Sequence, residues 1–292
     1  MPKIQSPLWG MFYMCLAMLV FSILNAIVKD TTTLYPPIQL VTFRCLFAAL
    51  FCVGLMFFKG RRISSPLVSG KLHLFRGILL AVALTSLFWG IGPLPLANSI
   101  ALYFSSTFFL VILSYPILKE KVESLQWGAV AIGFIGVLII AKPSGDVMHW
   151  AALGIIAGAG LEEAYNLFGR KLSLSIDPLS LTFWGSLIPG LFTLFVLPFY
   201  WVEPDLGGWI SLMMLGIGGG IGQLCISHAY LNASAGTVAP IIYTSMLWSA
   251  VLDIFLYGNY PTPHLLLGCA VVISSGLFIV YRELKAPQIK SV

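Results

Sequence analysis

Ten apolar runs, each about 20 residues long, follow one another along this sequence with only short turns between them. A helix of this length, rising about 1.5 Å per residue, spans the ~30 Å hydrocarbon core of a bilayer. The runs cover residues 8–28, 38–58, 72–92, 98–118, 125–141, 149–169, 179–199, 208–230, 236–256 and 264–281. Only 9% of the 292 residues are charged, which is too few to coat a soluble fold of this size. The sequence therefore predicts an all-α integral membrane protein with ten transmembrane helices.

The segments between the runs are short and contain turn residues, as in Pro93-Leu94-Pro95 and Pro261-Thr262-Pro263. No stretch remains for a soluble catalytic or nucleotide-binding domain. The net charge of +5 lies in these short segments and not in a basic domain, which argues against nucleic acid as a partner. The five cysteines lie within apolar runs without CxxC or metal-type spacing, so we expect no metal site and no cofactor.

Lysine and arginine residues are distributed unequally between alternate connecting segments. If the N-terminus is cytoplasmic, thirteen of the 16 fall on the cytoplasmic side, and among them is Arg76. Lys29 and Lys142 fall outside, and Arg44 lies within a run. Because cytoplasmic loops of membrane proteins are enriched in these residues, both termini should be cytoplasmic. We expect a multi-pass protein of the bacterial inner membrane.

The two halves of the chain correspond to each other at a nearly constant spacing. A shift of 141 residues aligns Asn25 with Asn166, Lys29 with Arg170 and Pro37 with Pro178. A shift of 140 residues aligns Gly128 with Gly268 and Gly136 with Gly276. The alternative is chance agreement between residues common in membranes. We predict two repeats of five helices each, 1–145 and 146–292. An odd helix number inverts the second repeat, and inverted pairs are characteristic of secondary transporters.

Two stretches of the first half resemble EamA-type carriers, the ten-helix branch of the drug/metabolite transporter superfamily. Arg76-Gly77-Ile78-Leu79 through Phe88-Trp89-Gly90-Ile91, and then Leu94-Pro95-Leu96-Ala97-Asn98-Ser99-Ile100-Ala101-Leu102, are similar to their third and fourth spans. Leu118-Lys119-Glu120-Lys121-Val122, followed by Gly128 and Gly136, resembles the end of their first repeat. The second half departs from this pattern, with Asn259-Tyr260 where the first has Lys119-Glu120. The resemblance implies transport around a site lined by spans 1, 3, 4, 6, 8 and 9.

Four charged residues lie within the apolar runs: Arg44, Glu162, Glu163 and Asp253. A charge in a bilayer costs at least about 2.5–3.5 kcal/mol, so each should face a cavity or a partner. Arg44 and Asp253 lie about 9 Å and 5 Å from the predicted outer ends of their helices. These depths favour an ion pair that serves as a structural contact or an outer gate. The alternatives are direct substrate contact by Arg44 and interfacial water around Asp253.

The two adjacent glutamates lie about 20 Å into the sixth run, near the middle of the membrane. Adjacent helix residues point about 100° apart, so both should not face one cavity. The repeat shift aligns two polar stripes: Ser22, Asn25 and Lys29 on the first run with Glu163, Asn166 and Arg170 on the sixth. This pattern favours Glu163 over Glu162 as the residue that binds a substrate cation or a proton. The alternative is a glutamate hydrogen-bonded to a neighbouring helix.

Six further side chains are candidates for the pocket wall: the aromatic residues Trp89, Tyr103, Tyr165, Tyr243 and Trp248, and the hydrogen-bonding Gln223. Helix packing or contact with lipid is the alternative for each aromatic residue. Two glycine pairs, Gly154/Gly158 and Gly216/Gly220, have the spacing that lets helices approach closely.

The hypothesis is a secondary carrier that moves a small polar metabolite across the inner membrane by alternating access. One central acid with aromatic residues suits a zwitterion or cation such as an amino acid or an S-adenosylmethionine-like molecule. A proton or counter-substrate would supply the energy, and the chain would work in the lipid bilayer as a monomer or dimer. The alternative is an intramembrane enzyme acting on a lipid or lipid-linked substrate, although no HExxH motif is present.

Overall fold

In the computed structural model, described for residues 7–58, 60, 70–118, 124–141, 147–172, 176–232 and 241–285, helices alternate with short connections. No β-strand occurs in these residues, so the expected all-α class is confirmed. The α-helices are α1 (Pro7–Thr31), α2 (Pro37–Phe58), α3 (Gly70–Ile91), α4 (Leu96–Tyr103), α5 (Ser106–Leu118), α6 (Ser124–Ala141), α7 (Val147–Leu172), α8 (Pro178–Val196), α9 (Leu206–Asn232), α10 (Thr244–Tyr257) and α11 (Pro263–Lys285). A 3₁₀ turn, Leu197–Phe199, extends α8.

Six stretches of the described chain are long and apolar enough to cross a membrane. They are Leu8–Thr31, Pro37–Phe58, Gly70–Ile91, Leu96–Leu113, Leu179–Phe199 and Leu206–Ile226. Shorter apolar helices lie at Ala131–Ile140, Thr244–Tyr257 and Pro263–Ser275. At 26 residues α7 is also long, but it carries Glu162 and Glu163. The chain is therefore a multi-pass membrane protein.

Local residue chemistry fixes where several helices begin and end. Asp177 precedes α8 and its carboxylate accepts a hydrogen bond from the Ser180 N–H at 3.1 Å, which satisfies one of the free N–H groups of the first turn. Pro178 follows at the first helical position, where its missing N–H costs nothing. Gly258 ends α10 with a left-handed φ of 67°, a conformation that a Cβ would strain.

Close helix pairs are built on glycine. A Cβ on Gly158 of α7 would lie 2.8 Å from the Ala83 carbonyl oxygen of α3, and one on Gly90 of α3 would lie 2.6 Å from the Ala151 carbonyl oxygen. Gly216 of α9 leaves the same room for Phe47 of α2. Both predicted glycine pairs therefore lie at helix interfaces, α7 against α3 and α9 against α2. Without a hydrophobic drive between helices in lipid, such backbone approach is what holds them together.

Two of the predicted runs are interrupted. The fourth divides into α4 and α5 at Phe104 and Ser105, and helical residues 241–242 turn at Tyr243 before α10 begins. The rings of Phe104 and Tyr243 stack on each other with centroids 4.8 Å apart and planes 21° apart. Both rings belong to the main apolar core, together with Leu102 and Phe108. The two interruptions thus meet inside the bundle.

Candidate functional site

Four side chains from three helices form what we term the central cluster: Arg44 of α2, Tyr103 of α4, and Glu162 and Tyr165 of α7. The Tyr103 side chain hydrogen-bonds to Glu162. Arg44 interacts electrostatically with Glu162 and with both tyrosines. The Arg44 guanidinium carbon also lies 5.4 Å from the centroid of the Phe88 ring. The cluster brings one cation, one anion and two phenols together inside the bundle.

Several polar atoms in and beside this cluster are buried without a hydrogen-bond partner. They are Nη1 of Arg44, Oε2 of Glu162 and Oγ of Ser105, the last at the interruption between α4 and α5. Arg44 and Glu162, both in the described part of the chain, form no ion pair with each other. Buried polar atoms in folded proteins are paired in about 90% of cases or more. A free donor, a free acceptor and a hydroxyl in one place are therefore the groups expected of a ligand site.

Glu163 makes a side-chain hydrogen bond with Asn166, one turn further along the same helix. Asn166 itself is exposed. The sequence pattern favoured Glu163 as the residue facing the cavity. In the structure, Glu162 has the partners from two other helices, whereas the hydrogen bond of Glu163 stays on α7. Glu163 remains close, because its charge acts on both Glu162 and Tyr103.

Ser22 does not line a cavity, and that expectation is wrong. Its side chain is fully buried between α1 and α10, where Oγ donates to the Ser245 carbonyl oxygen at 3.3 Å and accepts from Ser249 Oγ at 3.4 Å. Asn25, one turn along α1, is half-buried. Of the stripe predicted on the first run, Ser22 therefore contributes to helix packing.

The expected Arg44–Asp253 ion pair is also wrong. Asp253 is 2% exposed and its carboxylate lies 3.5 Å from Nζ of Lys29, in the last turn of α1. It also accepts from the Ala97 N–H at 2.7 Å and from Nδ2 of Asn259 at 3.2 Å. Arg44 instead extends toward Phe88 and the central cluster. Asp253 thus joins α1, the start of α4 and the end of α10.

A second contact completes this end of the bundle. Nζ of Lys29 lies 4.1 Å from the centroid of the Tyr257 ring. The Tyr257 hydroxyl donates to Oδ1 of Asp30 at 2.7 Å. We term Lys29, Asp30, Asp253, Tyr257 and Asn259 the end cluster. Lys29 was expected in a loop, and the structure places it in a helix as the partner of a buried acid.

Three further predicted site residues are Tyr243, Trp89 and Gln223. Tyr243 takes part in the stack with Phe104. Trp89 is half-exposed and lines a cleft of about 740 Å³. The cleft residues are Thr32, Thr33, Pro37, Trp89, Gly92, Pro93, Trp150 and Ala151. Gln223 is exposed on α9.

Two buried polar residues were missed from the sequence. Arg76 and His73 of α3 are 3% and 2% exposed, and Arg76 contacts Tyr165 of the central cluster. Arg76 was counted among the cytoplasmic loop cations. Arg76 lies inside the predicted run 72–92, and this position could have indicated that its side chain is buried.

The model of the EamA-like transporter family matches this chain twice, over residues 8–142 and over residues 149–281. The chain belongs to this family. The family and its named relatives indicate a transporter, whose substrate is a small molecule handled across a membrane.

Curated relatives of this EamA-like transporter extend over nearly the whole chain. An "Uncharacterized transporter" of Helicobacter pylori (strain J99) is 31% identical, over 95% of this chain and 98% of the relative. An "S-adenosylmethionine uptake transporter" of Rickettsia felis is 24% identical, over 97% and 96%. A "Riboflavin transporter" of Vibrio cholerae is 28% identical, over 96% and 95%. A crystal structure of another protein, at 16% identity, superposes with a TM-score of 0.67 over 93% of this chain and 98% of that one.

Proposed function

We propose that this chain is a secondary carrier that moves a small zwitterionic metabolite across the bacterial inner membrane by alternating access. The proposal includes ten spans arranged as two inverted repeats, 1–145 and 146–292, with both termini in the cytoplasm. The double family match supports the two repeats, because its boundaries fall beside this division. The positive-inside distribution of lysine and arginine supports the orientation.

Helix packing also supports an inverted pair. The first-repeat helices would correspond in order to those of the second: α1 to α7, α2 to α8, α3 to α9, α4/α5 to α10, and α6 to α11. When the repeats are exchanged, each pair of packed helices should then map onto another packed pair or onto itself. The pair α3–α7 then corresponds to α9–α1, the pair α2–α9 to α8–α3, and the pair α5–α7 to α10–α1. The pairs α2–α8, α4–α10 and α6–α11 correspond to themselves and would lie on the axis. The stack of Phe104 on Tyr243 belongs to this last group.

The observation that carries the proposed substrate class is that Nη1 of Arg44 and Oε2 of Glu162, both in the central cluster, are buried without a hydrogen-bond partner. A zwitterion would offer its cation to Glu162 and its carboxylate to Arg44, with Tyr103 as a further hydrogen-bonding group. Binding would then satisfy both buried charges without leaving either alone, which would be costly in a low-dielectric interior. Amino acids and S-adenosylmethionine-like molecules carry both groups. Riboflavin carries neither, so the cluster favours the former.

Broken helices support the transport mechanism. Carriers with inverted repeats bind substrate near the midplane, often where a helix is discontinuous. The interruption at Phe104 and Ser105 directly follows Tyr103, a member of the central cluster. The two repeats would rock about this region, and the substrate gradient, a proton or a counter-substrate would supply the energy.

The test is saturable uptake into proteoliposomes of radiolabelled S-adenosylmethionine, a panel of amino acids, and riboflavin. We expect uptake of a zwitterion, with kcat/KM reduced about tenfold or more in Glu162→Gln, because a charged interaction is lost. Glu163→Gln is the matched control, with the same chemistry one residue away, and should change kcat/KM less than about threefold. Size-exclusion profiles check that each variant is folded.

The arginine has its own control. Arg44→Gln should weaken uptake of the zwitterion but not that of its decarboxylated analogue, because that analogue has no partner for the guanidinium. Equal losses for both compounds would contradict a carboxylate contact at Arg44. If saturable uptake is unchanged in Glu162→Gln, the carrier function stands but the proposed binding site is wrong. If no compound is transported at all, the proposed carrier function is wrong.

A further inference from the structure

His73 and Arg76 of α3 form a second polar site, which we term the basic pair. Three residues apart on α3, they lie on one face of that helix. They are 2% and 3% exposed, respectively. The helix packs there against the last turns of α7, where Phe75 meets Phe168 edge to face. The pair lies outside the central cluster.

Arg76 is held in place by groups that leave part of its guanidinium free. Nε donates to the Tyr165 carbonyl oxygen at 3.2 Å, and the guanidinium carbon lies 4.3 Å from the centroid of the Tyr165 ring. A Cβ on Gly169 would lie 2.6 Å from Nη2, so glycine makes room for the planar group. Nη1 remains buried without a hydrogen-bond partner. Both ring nitrogens of His73 are likewise buried and unpartnered.

The basic pair therefore offers hydrogen-bond donors without an acceptor. An arginine side chain stays charged in proteins, so burial cannot be relieved by loss of its proton. Within the described residues, the electrostatic partner of Arg76 is Tyr165 and no carboxylate. A buried cation without a counter-charge is costly, and an oxyanion matches the fork of guanidinium donors. The arrangement is that of a binding site for a small anion.

We propose that His73 and Arg76 form an oxyanion site that binds a carboxylate or phosphate group at the N-terminal end of α3. Two sources supply such a group: the anionic end of a soluble metabolite and the phosphate of a phospholipid headgroup. The site contacts the central cluster through Tyr165, but its donors are His73 and Arg76 and not Arg44, so binding of an anion to the pair can be tested apart from the proposed function.

The first test measures binding to the purified full-length chain in lipid-free detergent. The melting temperature is followed during titration with sodium phosphate or sodium acetate, against sodium chloride at equal ionic strength. A parallel series adds phosphatidylglycerol or, as its counterpart without a phosphate group, diacylglycerol. Saturable stabilisation by phosphate or acetate indicates a soluble oxyanion, and stabilisation by phosphatidylglycerol alone indicates a lipid headgroup. No saturable stabilisation by any of these anions would overturn the site.

Variants distinguish a built site from general surface charge. Arg76→Gln should raise the Kd of the stabilising anion about tenfold or more, and Arg76→Lys should raise it less, because it keeps the charge without the fork. Gly169→Ala keeps every hydrogen-bond donor but displaces the Arg76 guanidinium, so it should also weaken anion binding. This variant replaces Arg76→Gln in the test if that protein does not fold. Lys71→Gln removes an exposed cation from the same helix and should leave the Kd unchanged. If Lys71→Gln raised the Kd as much as Arg76→Gln, anion binding would be due to general surface charge and the proposed site would be wrong.

Discussion

Asp253 receives hydrogen bonds or charge from three segments of the chain: Lys29 of α1, the Ala97 N–H of α4 and Asn259 after α10. At 2% exposure its carboxylate has exchanged its water for these donors. The left-handed Gly258 carries the chain back so that Asn259 reaches the carboxylate. Asp253 thus contacts Ala97, which lies 156 positions before it in the chain, and Lys29, which lies 224 positions before it.

Asp253→Ala should lower the free energy of unfolding by about 2–4 kcal/mol, because it leaves Lys29 and the Ala97 N–H without their buried partner. Asp253→Asn keeps an acceptor and should cost less. Asp30→Asn, at an exposed member of the end cluster, is the control. Unfolding by titration with dodecyl sulfate in mixed micelles measures all three. Equal effects of the alanine and asparagine variants would contradict the acceptor role.

The sequence could identify Arg44, Glu162, Glu163 and Asp253 as charges within helices, but not the burial of Arg76 or the partners of any of these charges. Arg44 and Asp253 lie at comparable depths from the outer ends of their helices, and depth was the basis for pairing them. Depth says nothing about which way a side chain points around the helix axis. The long arginine side chain also carries its charge some distance from its Cα, toward Phe88. Glu162 and Glu163 illustrate the same point, because a rotation of about 100° decides which one meets Tyr103.

At the scale of elements, α3 and α7 are in contact along most of their length, and glycine determines their separation. The oxygen of Ala83 occupies the space that a Cβ on Gly158 would need. Backbone atoms cannot rotate aside as a side chain can. A larger residue must therefore move the whole helix.

Gly158→Ala should destabilise the protein by about 1–3 kcal/mol, since it overpacks a helix interface. The matched control is Gly54→Ala in α2, where a Cβ would meet nothing within 4 Å. Alanine is the better helix former, so this control should be neutral or stabilising by about 1 kcal/mol. Both are measured by dodecyl sulfate titration. A Gly158→Ala protein as stable as its parent would show that the two helices can separate freely.

Hydropathy could predict the helices but not the breaks in them. Eight of the ten expected runs correspond to single helices with bounds that agree within a few residues. The interruption at Phe104 and Ser105 has no glycine or proline beside it, whereas Pro240 lies three residues before the turn at Tyr243. At these breaks the rings of Phe104 and Tyr243 are in contact. Because the two residues are far apart in the sequence, no local sequence pattern could predict this contact.

At the scale of the whole molecule, contacts between distant segments gather the predicted outer turns at one end. The Tyr35 hydroxyl donates to Oδ1 of Asp205 at 3.1 Å, and Gln39 exchanges two hydrogen bonds with the backbone of Val202. The Gly208 N–H and the Tyr35 hydroxyl hold the pKa of Asp205 below its ordinary value. Together with the end cluster, these contacts support the alternation of sides predicted from the lysine and arginine count.

Single cysteines in a cysteine-free background should react according to that alternation. Thr33→Cys and Thr262→Cys should react with a membrane-impermeant maleimide in intact cells, because their segments are predicted to lie outside. Gly70→Cys and Lys171→Cys should react only after permeabilisation. All four positions lie in the described part of the chain and are exposed. Labelling of all four in intact cells, or the reverse pattern, would contradict the proposed orientation.

The stack of Phe104 on Tyr243 lies where the two halves cross. Aromatic pairs prefer offset-stacked or edge-to-face arrangements, but the preference is worth only about 0.5–1.5 kcal/mol, so one ring can slide over the other at modest cost. For a carrier of the proposed type, such a contact favours neither access state. The balance between the states would then be decided at the two ends of the bundle, by the end cluster and the basic pair. Substitutions that change direction preference or turnover without touching substrate should accordingly be sought there.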